Sequence, residues 1–299
     1  MSTIPSTRTA SQSDLLLKGE DKVGGSPILL GIVNITEDSF SDGGRYLATE
    51  AALAHARKLA KDGASVLDLG AAASNPDAKP VAPAEEIARL APVVAALKED
   101  GLTVSIDSFA PEVQRWALVQ RWALDQRIEY LNDIQGFPDP GLYPALACAG
   151  ARLVVMHSVQ QRGRATRADV APGEVFDRIL RFFEDRIAVL VKAGVARDRL
   201  VLDPGMGFFL GSQPEASFTI LRRLPDLKRT FALPVLISVS RKSFLRTLTG
   251  RAAAEAGPAT LAAELFAVCQ GADYIRTHDP AALADGLAIW RAATSGRSS

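Results

Sequence analysis

Short, nearly continuous apolar runs alternate along this chain with longer stretches whose apolar positions recur every three or four residues. The short runs are ILLGIV (28–33), SVLDLG (65–70), TVSID (103–107), IEYLND (128–133), RLVVMH (152–157), RLVLD (199–203), PVLISV (234–239) and ADYIRTH (272–278). Each has the length of a strand, and the lack of polar alternation marks strands buried on both faces, as in a parallel sheet. Between them, stretches such as EAALAHARKLAKDG, PAEEIARLAPVVAALKEDG and GEVFDRILRFFEDRIAVLVKAG carry helical spacing and close on glycine. Eight strand–helix units in about 270 residues predict an α/β fold, a (β/α)8 TIM barrel in a single domain spanning residues 27–295. No glycine-rich dinucleotide fingerprint follows the first strand, so a doubly wound sheet fits less well. Residues 1–26 are rich in Ser, Thr and Gly, lack periodicity, and read as a disordered leader.

A barrel of this kind collects its chemistry at the carboxyl ends of its strands. Those ends carry Asn34, Asp68, Asp107, Asn132 with Asp133, His157, Asp203, Arg241 with Lys242, and Arg276 with His278. Asp68 and Asp133 have an ordinary alternative as turn and cap formers. Arg276 and His278 are two apart, so both side chains leave a strand on one face. With Lys242 they form a cationic cluster beside the loops after strands seven and eight, the usual phosphate corner of such barrels. Asp107, Asn132 and Asp203 add acceptors that need donors once buried, and a flat aminated heterocycle has them. The pattern points to a heterocycle carrying a phosphate ester.

Composition narrows the setting. The 299 residues are 47% apolar and 23% charged with zero formal net charge. That balance gives no basic footprint for nucleic acid or an acidic membrane. No run of 18 apolar residues occurs, and no basic-then-apolar signal opens the chain. Cys148 and Cys269 give no disulfide framework and read as core filler. The expectation is a cytoplasmic enzyme.

The motifs GIVNITEDSFSDGG (31–44), SIDSF (105–109), YLNDIQGF (130–137), VVMH (154–157), LDPGMGF (202–208), SVSRKSF (238–244) and IRTHD (275–279) follow one another in an order that resembles the dihydropteroate synthase family. That resemblance covers about residues 28–290. It implies a barrel that joins 6-hydroxymethyl-7,8-dihydropterin pyrophosphate to para-aminobenzoate and releases pyrophosphate. It implies that Asp107, Asn132, Asp203 and Lys242 bind the pterin, with Ser74 in the second loop, and that Arg276 and His278 hold the pyrophosphate. Asn34 is implied to lie near Mg2+. Phe208, Arg241 and Ser243 are implied to face para-aminobenzoate, with Phe40 and Pro76 closing over it and Asp42 near the reacting carbon. Lys242 and Asp42 are the implied catalytic pair. A homodimer through the later helices is also implied.

Two departures from the family pattern stand out. Where the family's second loop reads G-G-E-S-T-R-P-G-A, this chain has GAAASNPDA (70–78), so Asn75 replaces an arginine. After D-P-G-x-G-F the family has G-K, whereas here Phe209, Leu210 and Gly211 follow. In these features the chain is similar to the mobile synthases that confer sulfonamide resistance. An added aromatic at Phe209, with Gly211 shaping the loop, would admit a flat carboxylate and exclude a bulky sulfonyl. The bland alternative is that Phe209 packs beneath the loop. The near-repeat QRWALVQRWALD (114–125) reads as a duplication without catalytic role. Other readings remain: a methyltetrahydrofolate-using methyltransferase barrel, a silent barrel scaffold, and Schiff-base chemistry at Lys242, against which adjacent Arg241 counts.

Overall fold

The computed structural model describes residues 26–35, 44–73, 79–119, 127–160, 165 and 171–294. Eight parallel strands, β1 (Ile28–Asn34), β2 (Val66–Gly70), β3 (Val104–Asp107), β4 (Tyr130–Asp133), β5 (Arg152–Met156), β6 (Leu200–Asp203), β7 (Leu236–Ile237) and β8 (Tyr274–Thr277), form one sheet. They pair in the order β6-β5-β4-β3-β2-β1-β8-β7. A parallel bridge from Leu202 to Val235 joins the two ends, with the Leu202 N–H donating to the Pro234 carbonyl at 2.9 Å. The ring is the predicted TIM barrel. Around it run α1 (Gly44–Lys61), α2 (Pro83–Glu99), α3 (Pro111–Val119), α4 (Tyr143–Cys148), α5 (Pro172–Lys192), α6 (Pro214–Arg222), α7 (Leu224–Phe231), α8 (Ser243–Thr249), α9 (Gly257–Cys269) and α10 (Pro280–Thr294). Proline opens several of them, including α2, α5 and α6, where a missing N–H costs nothing.

The period of two along each strand separates two cores. Leu67 and Leu69, Val104 and Ile106, Leu131, Leu153 and Val155, Leu200 and Leu202, and Ile275 face the helices and join the main cluster. The alternate residues Leu30, Val66, Tyr130, Val154, Val201, Leu236 and Tyr274 form a second cluster that plugs the barrel. Tyr130 and Tyr274 meet edge to face there, with ring centroids 6.2 Å apart. Two residues further along, the same inward rows change character: Val66 leads to Asp68, Tyr130 to Asn132, Val201 to Asp203 and Tyr274 to Arg276. Side-chain alternation thus builds a polar floor directly on an apolar plug.

Strand seven is shorter than the expected 234–239. Pro234 has no N–H to donate, and the chain leaves the ladder after Ile237 to turn at Ser240–Arg241. Arg241 and Lys242 therefore stand on a turn and a helix entry, not on a strand end. Arg241 takes a left-handed φ of 58°, held by its N–H donating to Thr260 Oγ1 at 3.1 Å. Of the expected leader only Ser26 is described, and of the QRWAL repeat only the first copy. That copy ends α3, which buries Val113, Gln114, Ala117 and Leu118. The cysteines depart from their reading as core: both are free and exposed.

Below the plug, the Lys98 ammonium at the end of α2 is buried, with 1% of its side chain exposed, and pairs with Glu129. The other Glu129 oxygen accepts the Val104 N–H at 3.0 Å, so one carboxylate ties α2 to the entries of β3 and β4. Removing one partner of a buried pair strands the other charge. Glu129→Ala should cost about 3 kcal/mol in urea unfolding, while adding Lys98→Met should recover part of that loss. Equal stability of the parent and Glu129→Ala would show that the clip carries nothing.

Candidate active site

A guanidinium inside a barrel lumen requires anions around it. Arg276 finds two. Its Nε donates to Asp68 Oδ2 at 2.5 Å and its Nη2 to Asp107 Oδ2 at 2.6 Å. Burial opposes the charge, but Asp68 and Asp107 outweigh it and hold Arg276 protonated above the ordinary arginine range. Asp68 Oδ2 also accepts from Asn132 Nδ2 at 3.4 Å. Burial pushes the Asp107 carboxyl up to about 7 against the pull of Arg276, with Asp68 and Glu86 adding to the rise. Burial likewise lifts Asp203 to about 6, opposed by the Gly205 N–H and the Lys242 ammonium.

The expected cluster of three cations is corrected by this geometry. Arg276 is paired with Asp68 and Asp107. His278 lies one residue past the end of β8, with its Nδ1 2.9 Å from Ser240 Oγ. Burial, with Arg241, Arg276 and Lys242 adding to it, lowers His278 to about 3, so its ring is neutral. The Ser240 oxygen accepts the His278 backbone N–H at 3.2 Å. When the Ser240 hydroxyl donates to Nδ1, the ring proton stands on Nε2 as a donor for an anion. Burial brings Lys242 down to about 8, with Asp203 resisting, so it remains charged at neutral pH.

The loop after β6 is built around glycines. Gly205 has φ of 77°, and a Cβ there would sit 2.5 Å from the His157 carbonyl oxygen. Gly207, with φ of 64°, would bring a Cβ within 3.2 Å of Ser243 Oγ and 3.3 Å of Lys242 Cδ. This close approach seats the short 3-10 turn Gly207–Leu210 against the start of α8. Gly211 then leaves the turn at φ of 112°. Phe209 is 7% exposed and packs with Ile134, Met156 and Ala165, while Phe109 and Phe208 lie against that cluster. The Lys242 ammonium stands 4.9 Å from the Phe209 ring centroid, a cation–π contact. Phe209 is thus beneath the loop and also a wall behind Lys242.

His157 is the pin of the same loop. Its Nδ1 bonds the Pro204 carbonyl at 3.2 Å, and its ring meets Phe182 edge to face at 5.3 Å. Burial lowers it to about 4, so it serves as a neutral strut at neutral pH. Asp133 is a turn former as the bland alternative had it: its oxygens accept the Gln135 and Phe137 N–H groups, each at 2.8 Å. Asp68 is not. The sequence places it among the strand-end residues with a turn or cap former as the alternative, and an acid two residues from the end of an otherwise apolar strand is the signal that it must be paired. Ser240 was given no role, although it opens the SRKSF segment of the motif at 238–244. Asn34 is exposed at the end of β1, and Arg241 is exposed on its turn. Phe40, Asp42, Ser74 and Pro76 lie outside the described residues.

A polar barrel floor of carboxylates and an amide, rimmed by a lysine, a half-buried arginine and a neutral histidine, is a site for a flat donor-rich ring with an anionic arm. The matching family model, described as "Pterin binding enzyme", covers residues 30–278 and supplies the class. The "Dihydropteroate synthase type-2" of Escherichia coli is 59% identical over 264 residues, 88% of this chain and 95% of that protein. A Xanthomonas albilineans dihydropteroate synthase solved with 4-aminobenzoic acid superposes with a TM-score of 0.78 at 36% identity, covering 90% of this chain and 93% of that one. The same enzyme in complex with 7,8-dihydropteroate gives 0.75 at 36% identity, covering 90% and 94%. The chain belongs to the dihydropteroate synthases. Family membership sets aside the methyltransferase and scaffold readings.

The His157 strut makes an acid-sensitive element. A histidine lowered on folding stabilises above its unfolded value near 6.5, and that contribution is lost as pH falls toward the folded value of about 4. Between pH 7 and 5 this group alone should lose about 2 kcal/mol. His157→Gln, whose amide can still donate to Pro204, should have a flatter urea midpoint over that interval. The same slope in both proteins would exclude His157 as its source.

Proposed function

We propose that this chain joins 6-hydroxymethyl-7,8-dihydropterin pyrophosphate to para-aminobenzoate, giving 7,8-dihydropteroate and pyrophosphate, and that it does so in the presence of sulfonamides. The observation that carries the substrate assignment is the inward row Asp107, Asn132 and Asp203 beside Arg276, acceptors and a guanidinium on one floor. The pterin's amino and ring N–H groups match these acceptors, and Lys242 donates to an acceptor atom of the ring. Arg276 and the His278 Nε2–H take the diphosphate. As the C–O bond to the diphosphate breaks, negative charge grows on the departing oxygen and these donors stabilise it. The carbon left behind is stabilised by the electron-rich pterin and attacked by the neutral arylamine, so no side-chain nucleophile is needed. Asp42 is assigned near that carbon, with Ser74 toward the pterin pyrophosphate. Phe40, Pro76, Phe208, Arg241 and Ser243 are assigned around para-aminobenzoate.

Mg2+ suits the same corner. No group of three His, Cys, Asp or Glu side chains among the described residues would hold a metal, and none is required. Mg2+ keeps several waters and takes most of its remaining ligands from substrate phosphates. The exposed Asn34 amide oxygen is one neutral donor of the right kind. When bound, the ion would neutralise diphosphate charge.

Exposed free Cys148 and Cys269 suit a reducing compartment and support a cytoplasmic setting. Leu248 of α8, Phe266 of α9, and Ile289 with Trp290 of α10 are large apolar side chains left exposed, and they support a homodimer through these helices. Light scattering at the mass of one chain would refute it.

The test of the reaction is release of pyrophosphate from dihydropterin pyrophosphate in the presence of para-aminobenzoate, and no release would overturn it. For drug discrimination, Phe209→Ala removes the wall behind Lys242. Sulfonamide inhibition should tighten about tenfold, equivalent to about 1.4 kcal/mol, while the KM for para-aminobenzoate moves far less. An unchanged ratio of drug inhibition to substrate KM, in a folded and active variant, would assign Phe209 to packing alone.

A further inference from the structure

We infer that Asp68 is a positioning residue that aims both the anion donor Arg276 and the pterin acceptor Asn132 from beneath the floor; the inference rests on the substrate assignment above. Asp68 is fully covered, with none of its surface exposed, so it acts through its neighbours. One of its oxygens, Oδ2, receives Arg276 Nε at 2.5 Å and Asn132 Nδ2 at 3.4 Å. Arg276 reaches the lumen with its fork already committed at Nε, which turns the terminal nitrogens toward Asp107 and the mouth.

The effect on Asn132 is orientational. A carboxylate can only accept, so the amide nitrogen must face Asp68 and the amide oxygen must face the other way. That oxygen, Oδ1, is buried and has no hydrogen-bond partner among the described residues. A buried unpaired acceptor costs stability unless something fills it. Here it is an acceptor presented toward the place where the pterin donors would lie. Without the negative charge at Asp68, the amide has no reason to keep this face forward.

Asp68→Asn keeps the shape and removes the charge: either its oxygen or its nitrogen can now take the place of Oδ2, so Arg276 Nε and Asn132 Nδ2 lose an acceptor that held them in one orientation. With diphosphate release as the readout, the KM for dihydropterin pyrophosphate should rise at least about tenfold, while the KM for para-aminobenzoate stays within about twofold. The exchanged pair Asp68→Asn with Asn132→Asp restores one carboxylate, one amide and the same net charge. It presents an acceptor again and should return the KM to within about threefold of the parent. If the single variant does not fold, the exchanged pair decides alone: recovery of fold and pterin KM supports the role, and a folded pair with a KM still raised tenfold overturns it. A folded Asp68→Asn with an unchanged pterin KM, or with both KM values raised alike and no rescue, also overturns it. Parent protein that releases no diphosphate would refute the substrate assignment instead, so the two failures are told apart.

Discussion

A single guanidinium inside the barrel, held by two carboxylates, is the interaction on which the rest of the site depends. Arg276 could not be buried there without Asp68 and Asp107 at 2.5 and 2.6 Å, and Asp68 could not be fully covered without Arg276. The pair fixes which way Asn132 faces. It also sets the ionisation of its surroundings: the same guanidinium that pulls Asp107 down pushes His278 further toward its neutral form. Neutral His278 and charged Lys242 then divide the labour at the rim, one offering a hydrogen bond and the other a full charge.

The scaffold isolates this polar assembly from the rest of the fold. Below it lies a plug of aliphatic residues and two tyrosines, and below that the Lys98–Glu129 clip ties α2 to the starts of β3 and β4. Those elements carry stability. Above the floor, the loop after β6 is held by close contacts that permit no side chain at Gly205, and by the neutral imidazole of His157. A loop so tightly seated can place Phe209 against Lys242 reproducibly. An aromatic wall restricts what enters only if it does not move.

Much of the fold was legible as pattern. The apolar runs have the length of strands and the intervening stretches the period of helices, and a right-handed parallel arrangement of eight such units closes into a barrel. The misreading at residues 234–239 has a local cause: an apolar run says that residues are buried, and Ser238 and Val239 are buried without being paired in the sheet. Asp107, Asn132, Asp203 and Arg276 were legible as residues near strand ends, whereas Lys242, read the same way, stands at a helix entry. Their charge states were not legible. A run of basic residues reads as a cationic cluster until one knows which carboxylates stand opposite.

By itself, the sequence determined the barrel, the residues at its mouth and the family, because periodicity and motif order are properties of neighbours along the chain. Only the tertiary structure decided that Arg276 is spent on Asp68 and Asp107, that His278 is neutral, that Asp68 is part of the site while Asp133 makes a turn, and that Phe209 lies under Lys242. The partners in these contacts are separated by 208 residues for Arg276 and Asp68 and by 169 for Arg276 and Asp107. Protonation and side-chain direction depend on burial and on charges a few ångströms away, and those distances exist only once the ring of strands has closed.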